Sequence, residues 1–192
     1  LRARADPRWP ARLRTPCFAM SSSGPSPDSS APCGGLVRAA VLADVLAFLD
    51  STAPGERARV EATLPPDVVE TIAEASRVAW LPVEVDIALS DHLLARMGTE
   101  AFRRFSVQAT HAALEVPLLA GPARLLRAAL EKSPTAVFRT LGLGWKLGYR
   151  RMGVIAFRAS GEREGTVVFE GLPEPVLDSE GMRVALEGIV AA

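Results

Sequence analysis

The feature that most constrains the fold is a change of hydrophobic period at Gly153. Before it, in residues 133–152, large apolar and aromatic residues recur every three or four positions, which is typical of one helix face. The stripe consists of Phe138, Leu141, Trp145, Tyr149 and Met152. After Gly153, apolar residues alternate on both sides of a polar, glycine-bounded loop at 160–165, which predicts an antiparallel hairpin. The stretch is therefore predicted to be a helix that leads into a β-hairpin.

Helical patterns also account for most of the chain before this stretch. The predicted helices cover residues 36–50, 54–60, 66–73, 83–97, 100–114 and 123–132. In the first of them, the inward stripe is expected to consist of Val37, Val41, Val45 and Phe48 or Leu49. The sequence Trp80-Leu81-Pro82 is expected to be a sharp corner, because the residue before a proline avoids the helical region.

The segment after the hairpin is predicted to be a stiff link followed by one last helix. Pro173 and Pro175 favour an extended link, and Asp178 or Ser179 is expected to cap the helix. Because a two-stranded hairpin alone is barely stable, we expect the natural chain to continue past Ala192 with closing strands. Together the patterns predict an α+β fold: an N-terminal helical bundle, then an antiparallel β-hairpin or sheet, and a C-terminal helix.

Residues 1–34 are predicted to be a disordered tail outside a single domain of residues 35–192. The run that follows Met20 is rich in serine, proline and glycine and cannot bury enough apolar surface to order itself. Residues 1–19 carry five arginines and one acidic residue, which suits a basic, anion-binding arm. The favoured interpretation is that they are not native coding sequence and that Met20 is the start.

Charge and cysteine content argue against several classes of function. The 173 residues after residue 19 hold 17 basic and 21 acidic residues, and this balance argues against a nucleic-acid-binding surface. Cys17 and Cys33 both lie in the tail, so the domain is predicted to have no disulfide, no cysteine-based zinc site and no cysteine nucleophile. No apolar run reaches the roughly 20 residues of a membrane span. We therefore predict a cytoplasmic protein with no membrane span and no nucleic-acid partner.

The few residues that could carry chemistry do not form a recognisable constellation. Ser90, Asp91 and His92 are the residue types of a catalytic triad, but consecutive helical residues point about 100° apart and cannot align for proton transfer. His92 and His111 are the only histidines, and each is a weak candidate for a metal ligand or an axial haem ligand. A lone helical histidine is more often a surface or boundary residue. We therefore predict that the chain is not an enzyme and needs no cofactor.

The candidate binding residues lie in and after the helix that precedes the hairpin. Gly144 and Gly148 share a face, which indicates close packing of another backbone or of a ligand. They do not precede a Gly-Lys-Ser/Thr motif, so a phosphate-binding loop is excluded. Trp145 and Tyr149 are expected to be core residues, and the alternative is that they line an interface or a ligand site.

A basic cluster is the best candidate for binding an anion or an acidic partner. It consists of Lys146, Arg150, Arg151 and Arg158. The alternative is a solvated helix end, where arginines interact favourably with the helix dipole.

Three short motifs carry a resemblance to a known family. They are Gly35-Leu36-Val37-Arg38, the corner Trp80-Leu81-Pro82, and the spaced set Pro134, Leu141-Gly142, Trp145 and Tyr149. On these motifs the chain, from Gly35 to its end, resembles an uncharacterised paralogous family of predicted cytosolic proteins abundant in myxobacteria, a domain of unknown function. That family is similar in layout to the haem-NO-binding, V4R and TRAPP-like domains, in which helices precede an antiparallel sheet, a helix and final strands.

The resemblance implies a sensing or interaction module without the chemistry of those relatives. Haem-binding members use a Tyr-x-Ser-x-Arg motif, whereas Tyr149 is followed by Arg150-Arg151-Met152. TRAPP-like lipidation needs a core cysteine, which the domain lacks. We therefore predict a non-catalytic regulatory or sensing module that binds a protein partner or a small apolar ligand. The alternative is a haem or gas sensor that uses His92 or His111. Because the hairpin leaves exposed sheet edges, a homo-oligomer is also expected.

Overall fold

Apolar helix faces and short antiparallel strands build the α+β fold that the sequence predicts. The computed structural model describes residues 34–115, 142, 144–159 and 165–191. The helices are α1 (Ala39–Thr52), α2 (Glu56–Glu61), α3 (Pro66–Glu74), α4 (Val83–Met97), α5 (Thr99–Glu115), α6 (Glu174–Asp178) and α7 (Glu180–Ala191). The strands are β1 (Leu36–Arg38), β2 (Trp80–Pro82), β3 (Tyr149–Arg150), β4 (Val154–Ala159) and β5 (Gly165–Glu170). Residues 1–33 of the predicted tail, the predicted helix over 123–132 and the hairpin loop at 160–164 lie outside the described residues.

The predicted helices before residue 115 are largely confirmed. α3, α4 and α5 agree with their predicted bounds within a residue, and α2 begins at Glu56 and not at Pro54. The signals here are local. Pro66 and Pro82 suit a helix start, where no backbone N–H is needed, and Gly98 ends α4 with a φ of 78°.

The prediction for the first helix is wrong at its start and for most of its inward face, of which only Leu49 is fully buried within the helix as predicted. Leu36–Arg38 is a strand, and the buried stripe of α1 is Leu42, Leu46 and Leu49. Val41 and Val45 are only partly buried. Because Val37 is buried as a strand residue, it does not belong to the helical phase, and the leucines form an equally regular stripe.

Three short strands form a sheet in the order β2-β1-β3, with all pairs antiparallel. The predicted corner Trp80-Leu81-Pro82 is therefore an edge strand. The predicted corner and the observed strand follow from the same constraint. The residue before a proline avoids the helical region, and an extended strand satisfies this as well as a corner does. On the inner face of the sheet, Leu81 pairs with Val37 and Val37 pairs with Tyr149.

The helix that was predicted to run to Met152 stops earlier. Residues 144–148 are helical, and Tyr149 and Arg150 are paired with β1. The chain then bends through Arg151, which has a φ of 54°, and Gly153, which has a φ of 67°. These bends bring Met152 into the same apolar cluster as Trp145. The two residues, with Tyr149 between them, are therefore spaced in the sequence as on one helix face although they do not belong to one helix. Phe138 and Leu141 of the predicted stripe lie outside the described residues.

The hairpin is confirmed, and the link after it is not. β4 and β5 are antiparallel, with Ile155 opposite Phe169. The predicted extended link at Pro173 and Pro175 is wrong, because residues 174–178 form the short helix α6, whose first turn tolerates proline. Of the two predicted caps for the last helix, Ser179 is the one that acts, since its Oγ accepts a hydrogen bond from the Met182 N–H at 3.0 Å.

The C-terminal helix α7 lies closely against α4. Asp91 Oδ1 accepts hydrogen bonds from Ser179 Oγ at 2.8 Å and from the Gly181 N–H at 2.7 Å. A Cβ atom on Gly181 would lie 2.5 Å from the Asp91 backbone nitrogen. The absence of a side chain at this position therefore sets how closely the two helices approach.

We expect Gly181→Ala to lower the free energy of unfolding by roughly 1–3 kcal/mol, because the added methyl overlaps backbone that cannot move aside. Chemical denaturation measures the change. Glu180→Ala is the control, since Glu180 is exposed and its loss should change stability by no more than about 0.5 kcal/mol. Equal effects of the two substitutions would show that α7 does not approach α4 this closely.

Candidate functional site

The three triad-like residues of α4 have three separate partners, as their consecutive positions predict. Ser90 Oγ donates to Asp86 Oδ1 at 3.5 Å, and Asp91 holds the start of α7. His92 Nε2 lies 2.9 Å from Thr63 Oγ1. The side chains therefore form no nucleophile–base pair.

Neither histidine lies in a ligand-binding arrangement within the described part of the chain. Burial, aided by the charge of Arg96, lowers the pKa of His92, and its Nε2 is engaged by Thr63. His111 is exposed on α5. Among the described residues, no group of three or more His, Cys, Asp and Glu side chains could hold a metal ion.

The two glycines that were predicted to form one packing surface differ in their surroundings. A Cβ atom on Gly148 would lie 3.3 Å from Val41 Cγ2, so α1 packs closely there. Gly144 is exposed, and no described atom lies within 4 Å of the position of its Cβ. Of the pair, only Gly148 is in close contact with a described neighbour.

Trp145 is a buried member of the apolar cluster that contains Met152, and the partly buried Tyr149 packs against that cluster. The Trp145 side chain is buried, and its ring stacks on Tyr149 with the centroids 4.2 Å apart. Phe169 of β5 meets the same indole edge-on at 5.6 Å. Trp145 Nε1 donates to the Met152 carbonyl oxygen at 3.3 Å, so the polar atom of the indole is satisfied. The two aromatic residues thus contact neighbouring side chains of their own chain.

The four predicted basic residues do not act as one group. Arg158 is on the hairpin sheet, where it forms an ion pair with Glu170 at 2.6 Å. Lys146 and Arg151 are exposed on either side of β3. Arg150 lies over the ring of Trp80, with its Cζ 4.1 Å from the ring centroid.

A second arginine, which the sequence reasoning missed, completes this arrangement. Arg38 of β1 places its Cζ 4.6 Å from the Trp80 centroid, and its Nε donates to the Leu147 carbonyl oxygen at 2.8 Å. Strand alternation puts Arg38, Trp80 and Arg150 on the outer face of the sheet, opposite the buried Val37 and Leu81. We call these three side chains the Arg–Trp face.

Within the described part of the chain, the Arg–Trp face carries positive charge that no carboxylate neutralises. Among the described residues, neither Arg38 nor Arg150 forms an ion pair with a carboxylate. Two exposed apolar side chains belong to the adjoining backbone, Val78 at 70% and Leu147 at 47% exposure. Exposed apolar side chains therefore lie close in sequence to residues that form or contact this charged face.

Directly beneath this face lies a buried carboxyl group that the sequence reasoning also missed. Asp86 of α4 is 6% exposed, and its Oδ2 accepts a hydrogen bond from the Tyr149 hydroxyl at 3.0 Å. Burial raises the pKa of Asp86 to about 6, against the opposing effect of hydrogen bonds from Tyr149 and Ser90. Burial and the charge of Asp86 likewise raise the pKa of Tyr149 well above its ordinary value.

A signal for Asp86 was present in the sequence. Asp86 and Ser90 follow Val83 at spacings of three and four, and Leu93 continues the same phase. Two polar residues on an otherwise apolar helix face indicate a buried hydrogen-bonded group, since buried polar atoms need partners.

No helix within the described residues is both long enough and apolar enough to cross a membrane. Comparison with protein-family models, with curated proteins and with solved structures finds no match to this chain. The resemblance to the myxobacterial family of unknown function therefore stays a prediction, and the case for function rests on the Arg–Trp face and the carboxyl group beneath it.

Proposed function

We propose that the chain is a non-catalytic regulatory module that binds an acidic segment of a protein partner through the Arg–Trp face. One observation carries the proposal: two guanidinium groups lie over a single indole ring on the outer face of a sheet. Arginine and tryptophan are the residues most enriched among those that dominate the energy of protein interfaces.

The chemistry of the Arg–Trp face favours carboxylates. A guanidinium group over an aromatic ring keeps its N–H donors, which can bind a carboxylate through two parallel hydrogen bonds. The guanidinium groups are held in place by Trp80 and by the Leu147 carbonyl oxygen, so less conformational entropy is lost on binding. The chain after residue 19 is mildly acidic overall and would repel an acidic partner, whereas the Arg–Trp face would attract it. This contrast would orient the incoming partner towards the face.

The two other functional hypotheses receive less support. A small apolar ligand was predicted near Trp145 and Tyr149, but their rings pack on each other and on Phe169. A haem was the alternative, with His92 or His111 as its ligand. The contact between His92 and Thr63 and the exposure of His111 do not favour it.

The test uses a fluorescently labelled oligoglutamate peptide and measures its binding by fluorescence anisotropy at pH 7.5. We expect the wild-type protein to bind, and the affinity to fall with added salt because the contacts are charged. Trp80→Ala and Arg150→Ala should each weaken binding on the order of tenfold, since each removes one part of the stacked arrangement.

Arg158→Ala is the matched control. It removes the same charge as Arg150→Ala, but from a guanidinium that Glu170 already neutralises on the other sheet. Its affinity should stay within about twofold of the wild type, as expected for a charge that is away from the contact. Equal weakening by Arg158→Ala and Arg150→Ala, or no binding by the wild type at low salt, would refute the proposed role of the Arg–Trp face. Sedimentation of the protein alone would show whether the partner is a second copy.

A further inference from the structure

The two sides of β3 connect the Arg–Trp face to the buried carboxyl group. This strand has two residues, and consecutive strand residues point to opposite faces. Tyr149 points inward and donates its hydroxyl hydrogen to Asp86, while Arg150 points outward over Trp80. Among the described strands, only β1 pairs with β3. Since this backbone pairing is so short, the two side-chain contacts contribute much of what positions the strand.

Asp86 has a simple electrostatic environment on its own helix. Its hydrogen-bond partners among the described residues are Tyr149 of β3 and Ser90 of α4, and of these Tyr149 is titratable. Three other charged or titratable side chains of α4 are engaged elsewhere: Asp91 at the start of α7, His92 with Thr63, and Arg96 with Glu56. Glu84 is exposed.

The elements packed against α4 add no charge at Asp86 within the described side chains. The charged side chains of α3 and α6 are exposed. In α5 and α7, Arg103 pairs with Glu187, and the other charged or titratable side chains whose burial is described are exposed: Glu100, Arg104, His111, Glu180 and Arg183. Arg38, the charged residue of β1, lies on the outer face, and β2 carries none. The protonation of Asp86 is thus felt chiefly through its hydrogen bond with Tyr149.

We infer that proton uptake by Asp86 regulates partner binding, because the Asp86–Tyr149 hydrogen bond positions β3 and with it Arg150. The ionised carboxylate accepts the Tyr149 hydrogen in a charge-assisted bond, which is stronger than a neutral one. A protonated carboxyl group is a weaker acceptor and brings a hydrogen of its own that needs an acceptor. Protonation therefore loosens β3, and the guanidinium of Arg150 is less well held over Trp80.

This inference rests on the proposed function, and the same oligoglutamate peptide tests it. We expect wild-type affinity to fall on the order of fivefold between pH 7.5 and pH 5, as for the weakening of one hydrogen bond. Asp86→Asn, whose side chain at this position is neutral at every pH, should bind weakly at pH 7.5 and should lack the part of this decrease that comes from residue 86. Tyr149→Phe, which removes the hydroxyl, should behave in the same way.

The variants separate the contribution of Asp86 from other titrations. Protonation of His92 at low pH adds positive charge, which would strengthen binding, whereas protonation of the peptide's own carboxyl groups would weaken it. Both effects persist in Asp86→Asn. Identical pH profiles for the wild type and Asp86→Asn, with normal wild-type binding at pH 7.5, would overturn the regulatory role of Asp86 and leave the proposed function standing. Absence of wild-type binding at pH 7.5 would instead overturn the proposed function itself.

Discussion

Trp145→Ala is expected to lower the free energy of unfolding by about 3–5 kcal/mol, the usual cost of deleting a large buried aromatic side chain. The Trp145 indole is 6% exposed, stacks on Tyr149 and meets Phe169 edge-on, so its removal leaves a cavity bordered by β3 and the hairpin. It also removes the donor to the Met152 carbonyl oxygen. Urea denaturation at neutral pH measures the loss as a lower midpoint with an unchanged slope.

Leu147→Ala is the control for this experiment. Leu147 is two residues away and 47% exposed, so its truncation should cost no more than about 0.5 kcal/mol. If Trp145→Ala were as mild as Leu147→Ala, Trp145 would not be a core residue. The original alternative, that it belongs to an interface or a ligand site, would then be favoured.

The second large effect is a loss of stability as pH rises, caused by Asp86. Its pKa is about 6 in the folded protein and 3.8 in an unfolded reference, so the folded state binds the proton more tightly. The contribution of this proton to the free energy of unfolding is therefore fully present below pH 3.8 and is lost as pH rises through 6. The pKa difference corresponds to about 3 kcal/mol, of which roughly 1–1.5 kcal/mol falls between pH 5 and 7.5.

Asp86→Asn should remove this pH dependence and raise stability at pH 7.5 by up to about 3 kcal/mol. The amide is neutral and of the same shape, but its oxygen accepts the Tyr149 hydrogen only in a neutral hydrogen bond, which is weaker than the charge-assisted one. His92 acts in the opposite direction, because its lowered pKa makes the folded state less stable as pH falls. The difference between the free energies of unfolding of the wild type and Asp86→Asn, measured as a function of pH, therefore gives the contribution of Asp86.

Denaturation at several pH values provides the measurement for Asp86. The exposed Asp178 supplies a matched control, since Asp178→Asn should keep the wild-type pH dependence. If the free energy of unfolding of the wild type changed with pH in the same way as that of Asp86→Asn, the carboxyl group of Asp86 would not be buried as described.

These two experiments also bear on how binding could be regulated. A buried carboxylate without a cationic partner costs stability at neutral pH, and many substitutions at Asp86 would relieve that cost. If Asp86→Asn is more stable but binds poorly, stability has been given up at this position for the geometry of the Arg–Trp face. That combination is characteristic of functional residues.

Local signals in the sequence determined much of the secondary structure. The prolines at the starts of α3 and α4, the glycine that ends α4 and the alternation in β4 and β5 act through backbone constraints on a few adjacent residues. Such constraints can be recognised in the sequence without knowledge of the tertiary structure. They also sufficed for the α+β fold class and for Ser179 as one of two possible caps.

The tertiary structure decided which segments became short strands and which side chains met. β1, β2 and β3 are far apart along the chain, and a strand of two or three residues has too few positions to show a period. Their pairing put Tyr149 and Arg150 on opposite faces of a sheet, where helical spacing had suggested one continuous helix. Long-range antiparallel pairing therefore created both the Arg–Trp face and the Asp86–Tyr149 contact, because each joins side chains that no local pattern relates.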